Sequence, residues 1–415
     1  MIIKSSYKII KNVIRSPVIP FSVLTGILYI IPNSLWYDSF IYYASALVLF
    51  LFLLSFILNK NAIKSLDTIE PLYYLFLICI LYGVFISTFK AESFKQLLFF
   101  MSCSIFICFI INLAGTLDSL LKFMDILLVF LFVTGLYGLY QAFILKVPPS
   151  ASLTDINLNP DLPGRVFSTM GNPNYYAELI LLFIPFYVYA LFNAKTINKK
   201  IYYIILFIPV LISFILTSGR AAILISFLSI SFMLLTYNYR YFIRFVIAAF
   251  ITFLLLPKWF TQRLISSFNF QDTSIQYRLE IYNAIKPFLS DYWIKGTGIG
   301  NKPFTSIMAL YSSSLKTTPM HVHNTYIQIL LETGLAGFII FILLMFSVIK
   351  KCIKKIKNSS GRLRFFACAC LASFISILLM GFVEHIWSYQ RIMLAFWIIY
   401  AIILSISKIK SPCSK

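Results

Sequence analysis

The chain has 415 residues, 60% of them hydrophobic and only 12% charged, with a mean hydropathy of +0.88. A soluble protein carries roughly a quarter charged residues, so a soluble globular fold is excluded. Lys and Arg outnumber Asp and Glu by 35 to 14. In a soluble chain that excess suggests nucleic acid; between apolar runs it is a topology signal instead, and no nucleic-acid partner is expected.

Apolar stretches of about 18–20 residues, each able to cross a hydrocarbon core of about 30 Å as a helix, recur along the chain. The first five lie at 18–35, 39–58, 71–89, 96–114 and 122–145. No small-residue cleavage site follows the first, which predicts an uncleaved anchor. A polar segment over 146–172, rich in Pro, Asn and Asp, then carries Gly164-Arg165 and ends at Asn172-Pro173-Asn174. The proline sets the start of the next span, 173–193, because it is tolerated in a first helical turn. Spans at 201–217 and 220–237 meet at the tight turn Thr217-Ser218-Gly219-Arg220, and 241–257 follows. A second polar segment, 258–323, precedes the last spans at 324–349, 364–383 and 390–407. The expectation is an all-α polytopic integral membrane protein of about twelve helices, a single membrane domain over 1–415.

The cations give its orientation. With the N-terminus inside, the inner segments collect Lys4, Lys8, Lys11, Arg15, Lys60, Lys64, Lys122, Lys195, Lys199, Lys200, Arg240 and Arg244. They also hold the run Lys350 to Arg364 and the tail Lys408, Lys410 and Lys415, near anionic membrane lipid. The outer connections outside 258–323 hold only Lys90, Lys95, Lys146, Arg165, Arg220 and Arg391. Both termini are thus expected in the cytoplasm and the two long polar loops outside it. All seven cysteines, Cys79, Cys103, Cys108, Cys352, Cys368, Cys370 and Cys413, fall in spans or inner segments, so no disulfide is expected.

Long loops in a compact protein are more often functional than accidental, and the chemistry is sought there. In 258–323, Tyr277, Ile281, Ala284, Ile285 and Phe288 recur at three-to-four spacing, one apolar face of a short amphipathic helix. Such a helix can lie at the membrane surface and present Arg278 to a lipid headgroup; an arginine on a solvated face is the alternative. The glycines of Gly296-Thr297-Gly298-Ile299-Gly300 can expose backbone N–H groups to an anion, or form a plain turn. They lack the spacing of a dinucleotide fingerprint.

His321-Val322-His323-Asn324 stands at the mouth of a span that carries Glu332, Gly334 and Gly337. A neutral imidazole suits proton abstraction near neutral pH; a capping histidine is the alternative, and two histidines without a nearby cysteine fall short of a usual zinc site. No role is assigned to His321. Asn324 can cap the span, and Glu332 reads as a structural partner for an arginine. Arg220, at the hydrocarbon edge, is either a snorkelling anchor or a bidentate phosphate ligand, and Arg165 reads similarly with less support.

The histidine followed by Asn, nine residues and then Gly-x-x-Gly, met by His323-Asn324, Gly334 and Gly337, resembles the family of O-antigen ligases and O-antigen polymerases. Ser218-Gly219-Arg220-Ala221 and Tyr277-Arg278-Leu279-Glu280 are similar to the family's two arginine motifs. The matching motifs span 164–337. The resemblance implies a GT-C-like, metal-independent, inverting glycosyltransferase without a cofactor, acting on an undecaprenyl-diphosphate-linked glycan at the periplasmic face of the inner membrane. It implies that Arg220 and Arg278 bind the diphosphate and that His323 is base to the acceptor hydroxyl; it transfers no role to Arg165, which is a weaker candidate for the same anionic pocket. Lipid A–core is the expected acceptor, which makes the chain an O-antigen ligase of lipopolysaccharide biosynthesis. A second carrier-linked glycan would make it a polymerase of O-antigen or another surface polysaccharide. A transporter or flippase, the reading from another class, would show related halves and helices broken at midplane, which the sequence lacks.

Overall fold

The computed structural model describes residues 18–58, 69–113, 115–149, 164–268, 271–312, 315 and 318–410. Lys4, Lys8, Lys11, Arg15, Lys60, Lys64, Cys413, Lys415 and residues 150–163 of the first polar loop lie outside the described residues. Helices α1 (Val18–Ile30), α2 (Ser39–Leu58), α3 (Pro71–Ile86), α4 (Lys90–Leu113) and α5 (Leu117–Phe143) precede that loop. Then come α6 (Pro173–Asn193), α7 (Ile197–Leu216), α8 (Arg220–Tyr237) and α9 (Tyr239–Leu255). The second loop contributes α10 (Lys258–Ile265), α11 (Thr273–Tyr292) and α12 (Asn301–Tyr311). The chain continues with α13 (Thr325–Lys357), α14 (Gly361–Met380) and α15 (Gln390–Lys408). No strand occurs among the described residues.

Each of the twelve expected spans corresponds to one helix. Eight helices are long and apolar enough to cross a membrane, α9 with α10 forms a ninth candidate bent by 115°, and three shorter apolar helices complete the set. The first span stops at Ile30 rather than 35 because Pro32 disfavours helical backbone before it. Thr116 and Thr196 cap α5 and α7 with their side chains, and so both helices begin earlier than hydropathy alone indicates. The six described cysteines are free.

Three helices form the centre. The apolar windows of α15, α6 and α14 are 89%, 83% and 78% buried, against 22% and 28% for α7 and α8. A helix that is apolar all round belongs in the interior, and α15 buries every residue from Arg391 to Ile406. Arg391, read from the sequence as an outer-loop cation, is instead wholly enclosed. Its guanidinium donates to the carbonyls of Ile31 (2.7 Å) and Thr169 (2.9 Å) and lies 4.4 Å over the Trp36 ring. An arginine is stable here because carbonyls and aromatic faces take its donors and charge. It ties α15 to the end of α1.

The second polar loop has a core of its own. Ile281, Ala284, Ile285 and Phe288 of α11 pack with Phe304 and Met308 of α12 and with Val322 and Leu331. The apolar face expected at the membrane surface is therefore turned inward. Burying one such side chain contributes about 1.5–3 kcal/mol, and this face buries four together.

The glycine turn after α11 locks onto a break in α13. Gly334 has φ 70° and ψ −177°, which interrupts the helical ladder. The freed carbonyls of Leu331 and Glu332 accept from Thr297 N (2.8 Å) and Gly298 N (3.2 Å), and Leu335 N donates to Ile294 O (3.2 Å). These amide groups are used within the fold, so the turn is a wedge and not an anion cradle. A Cβ on Gly334 would stand 2.3 Å from Ile294 O. Gly334→Ala is expected to cost about 1–3 kcal/mol from backbone strain alone, with a further loss from that clash. A thermal-unfolding comparison in detergent checks it; an unchanged midpoint refutes it.

Candidate functional site

The start of α13 and the turn that joins α14 to α15 are stapled together. Thr325 N donates to Gly381 O (2.7 Å), Thr325 Oγ1 to Glu384 O (2.9 Å), and Ile386 N to Thr325 Oγ1 (3.0 Å). Asn324 caps α13 by accepting from Tyr326 N and Ile327 N, and its amide donates to Phe382 O (3.2 Å). These bonds bring Glu384 to His323, 61 residues earlier in the chain, where Nδ1 and Oε1 lie 2.6 Å apart.

His323 has φ 55°, a conformation uncommon outside glycine. It is held by its own amide donating to His321 Nδ1 (3.3 Å) and by the Tyr282 hydroxyl donating to its carbonyl (3.4 Å). Burial alone would raise the pKa of Glu384, but the His323 hydrogen bond and the nearby His321 and Arg278 outweigh it and hold the carboxyl at about 2. An ionised carboxylate only accepts, so Nδ1 of His323 donates to it, which leaves Nε2 as the ring nitrogen not engaged by Glu384. Burial pulls His321 down to about 4, against the opposing pull of Glu384, and pushes His385 well below the ordinary range. All three histidines of the chain thus gather around one carboxylate: the His321 ring is 4.3 Å from that of His323 and 5.8 Å from that of His385.

The second oxygen of that carboxylate faces Arg278. Arg278 Nη2 lies 3.6 Å from Glu384 Oε2, while Nε donates to Val383 O (3.2 Å) and Nη1 to Ser274 Oγ (2.7 Å). The side chains of His323 and Arg278 are 23% and 24% exposed, whereas Glu384 is 3% exposed. The imidazole and the guanidinium are therefore open to a ligand, and the carboxylate behind them is not.

Arg220 begins α8, where Ser218 turns with φ 52°. Its fork grips Asp272 at 2.7 and 2.8 Å, and Nη1 also donates to Ser266 Oγ (3.0 Å). Asp272 caps α11 by accepting from Ser274 N (3.0 Å), and Arg263 of α10 stands 3.9 Å from it. Burial tends to raise the Asp272 pKa, but Arg220 and Arg263 bring it below the usual value. Arg165 is buried, donating from Nε to Thr217 O and from Nη2 to Asn174 Oδ1, each at 2.7 Å. Burial, then the charges of Arg263, Arg220 and Arg278, lower its pKa to about 9. Arg165, Arg220 and Arg278, named from the sequence, thus share one electrostatic neighbourhood with Arg263.

Among the described residues, Glu332 pairs with no arginine. Its Oε1 accepts from Gln328 Nε2 (2.8 Å), and Gln328 Oε1 in turn accepts from Val322 N (3.0 Å). It braces the histidine segment at one remove.

His321, His323 and Glu384 each offer one metal-ligating atom within 4.8 Å of the others. Ligands at about 2.0–2.1 Å on tetrahedral zinc are about 3.3 Å apart. The 2.6 Å between His323 and Glu384 is hydrogen-bond geometry, and the carboxylate already faces a guanidinium. The donor set fits a histidine–carboxylate pair better than a metal.

Sequence reasoning missed Glu384, Asp272 and Arg263. Glu384-His385 is the one place where the third histidine adjoins an acid, in a turn just past an expected span. Acids are scarce in this chain, 14 in 415 residues, and that scarcity was the available signal.

Residues 179–342 match the family model described as O-antigen ligase. That region contains Arg220, Asp272, Arg278, His323, Asn324, Glu332, Gly334 and Gly337, and stops short of Arg165 and Glu384. A "Putative polysaccharide ligase" of Rickettsia felis (strain ATCC VR-1525 / URRWXCal2) is 33% identical over 82 residues. The match covers 20% of this chain and 19% of that relative, so the chain aligns with about a fifth of its length. Residues 179–342 of this all-α membrane protein, with the Arg220, Arg278 and His323 motifs inside them, are thus similar to the O-antigen ligase family.

Proposed function

We propose that the chain is an O-antigen ligase, a glycosyltransferase that moves glycan from an undecaprenyl-diphosphate carrier to a hydroxyl of lipid A–core. The observation that carries this reading is the Glu384 carboxylate, which holds His323 on one oxygen and faces Arg278 with the other. Base and donor ligand meet on a single buried anion.

In the reaction, the acceptor oxygen bonds to the anomeric carbon as the bond from that carbon to the diphosphate oxygen breaks, with inversion. The acceptor proton passes to Nε2 of His323, and Glu384 stabilises the imidazolium that results. Such a base contributes about 10²–10⁴-fold. Arg278 and Arg220, with Arg165 in support, stabilise the charge that grows on the departing diphosphate, so neither a general acid nor a metal is required. The site lies at one end of the bundle, opposite the lysine-rich end of α13, and not at midplane, where transporters bind their cargo. With the cation-rich segments in the cytoplasm, that end faces the periplasm from a bacterial inner membrane.

The test is a reconstituted assay with the undecaprenyl-diphosphate glycan and either lipid A–core or a second carrier-linked glycan. Extension of lipid A–core is expected, at a rate that a chelator leaves unchanged. Extension of the second carrier alone makes the chain a polymerase, transfer to neither ends the reading, and chelator sensitivity removes the metal-free mechanism.

A further inference from the structure

Asp272 sits where a phosphate would. Arg220 grips both its oxygens at 2.7 and 2.8 Å, Arg263 approaches to 3.9 Å, and the side chain is 1% exposed. Two carboxylate oxygens on one guanidinium have the same fork geometry as two phosphate oxygens. As it stands, the Arg220 fork is closed to any other anion. The surroundings nevertheless favour more negative charge. Four guanidiniums, those of Arg165, Arg220, Arg263 and Arg278, stand close enough for three to weaken the fourth as a cation. Among the described residues, Arg220 and Arg263 face Asp272, and Arg278 faces Glu384. A ligand with two or more negative charges can displace Asp272 and take over the Arg220 fork that it leaves.

We propose, resting on the reading of this site as a donor diphosphate site, that Asp272 holds the phosphate seat between Arg220 and Arg263 before the donor arrives. It yields the seat to the prenyl diphosphate and retakes it to expel the diphosphate product. After transfer the diphosphate carries more charge than it did as donor, and four arginines would retain it. A competing carboxylate tethered beside them speeds its release. Asp272 is also the cap of α11, accepting from Ser274 N, so its departure loosens the first turn of the helix that carries Arg278. Recapping that turn favours its return. Asp272 touches no reacting atom and acts as a positioning residue.

Asp272→Asn tests this in the reconstituted full chain, because asparagine caps a helix as well as aspartate but carries no charge. Undecaprenyl diphosphate is expected to bind roughly tenfold tighter, as one competing charge pair is removed. The donor KM should fall and kcat should fall with it as release slows. A residue that merely held Arg220 in place would give the opposite sign, weaker binding and a higher KM. Asp291→Asn removes one charge from the far end of the same helix, where the partner is Tyr311, and should leave binding unchanged. Equal tightening in both variants, or none in Asp272→Asn, overturns the proposal while leaving the ligase reading intact. Failure of the wild-type chain to bind undecaprenyl diphosphate removes both. In the wild type, amide exchange at Ser274 and Ile275 should accelerate when undecaprenyl diphosphate is added; slower or unchanged exchange also refutes the exchange of seats.

Discussion

Replacing His323 with alanine is expected to slow glycan transfer by about 10²–10⁴-fold, the contribution of one positioned base. The chain should still insert and still bind undecaprenyl diphosphate, because the arginines remain. Alanine also removes one of two hydrogen-bond partners of Glu384 Oε1, leaving the His385 amide at 3.2 Å, and is strained at a residue with φ 55°. His323→Asn separates chemistry from folding: asparagine accepts positive φ better than most residues and retains polar atoms near the carboxylate, but it is no base at neutral pH. Both variants should be inactive while Asn accumulates to the wild-type level. Transfer at the wild-type rate in either one would remove His323 from the mechanism.

Arg278→Ala should produce the second large effect, a loss of about 10²–10³-fold in donor turnover, the range seen when one preorganised donor to a developing oxyanion is removed. Arg278 does two things here. It offers its exposed guanidinium to the diphosphate, and its Nε bond to Val383 O steadies the turn that carries Glu384. The rate of a single turnover should therefore fall further than affinity for undecaprenyl diphosphate, since Arg220, Arg263 and Arg165 still attract the anion. Arg278→Lys keeps the charge but loses the fork, and so should recover affinity better than rate. Wild-type affinity and single-turnover rate in Arg278→Ala would exclude it from the site.

The helices were legible because length and apolarity are local properties: no tertiary contact is needed to read 18 or more apolar residues as a span. His323-Asn324 and the two arginine motifs were legible because each is a short run. What pairs with them was not. Glu384 reaches His323 only through the staple at Thr325, between segments separated by 61 residues. Asp272 looked like one acid in a polar loop, and its meaning depends on Arg220, 52 residues away. The apolar face of α11 was read correctly as a face, but periodicity does not say what covers it, and α12 does. Gly334 fitted a motif whose spacing gave no hint of a break, because the compensating partner is the turn at Thr297. Arg391 was counted as a surface charge since nothing beside it in sequence shows the carbonyls of Ile31 and Thr169 closing around it.

The central position of α15 bears on how this protein is made. It leaves the ribosome after the fourteen other described helices, yet it is the pillar against which α4, α13 and α14 rest. Domains generally form as synthesis proceeds, from the N-terminal side onward. Here the earlier spans must wait in the bilayer with a gap among them, shielded by lipid or by the insertion machinery, until α15 slides in. Shortening the chain within α15 should therefore yield a product that is inserted but rapidly degraded.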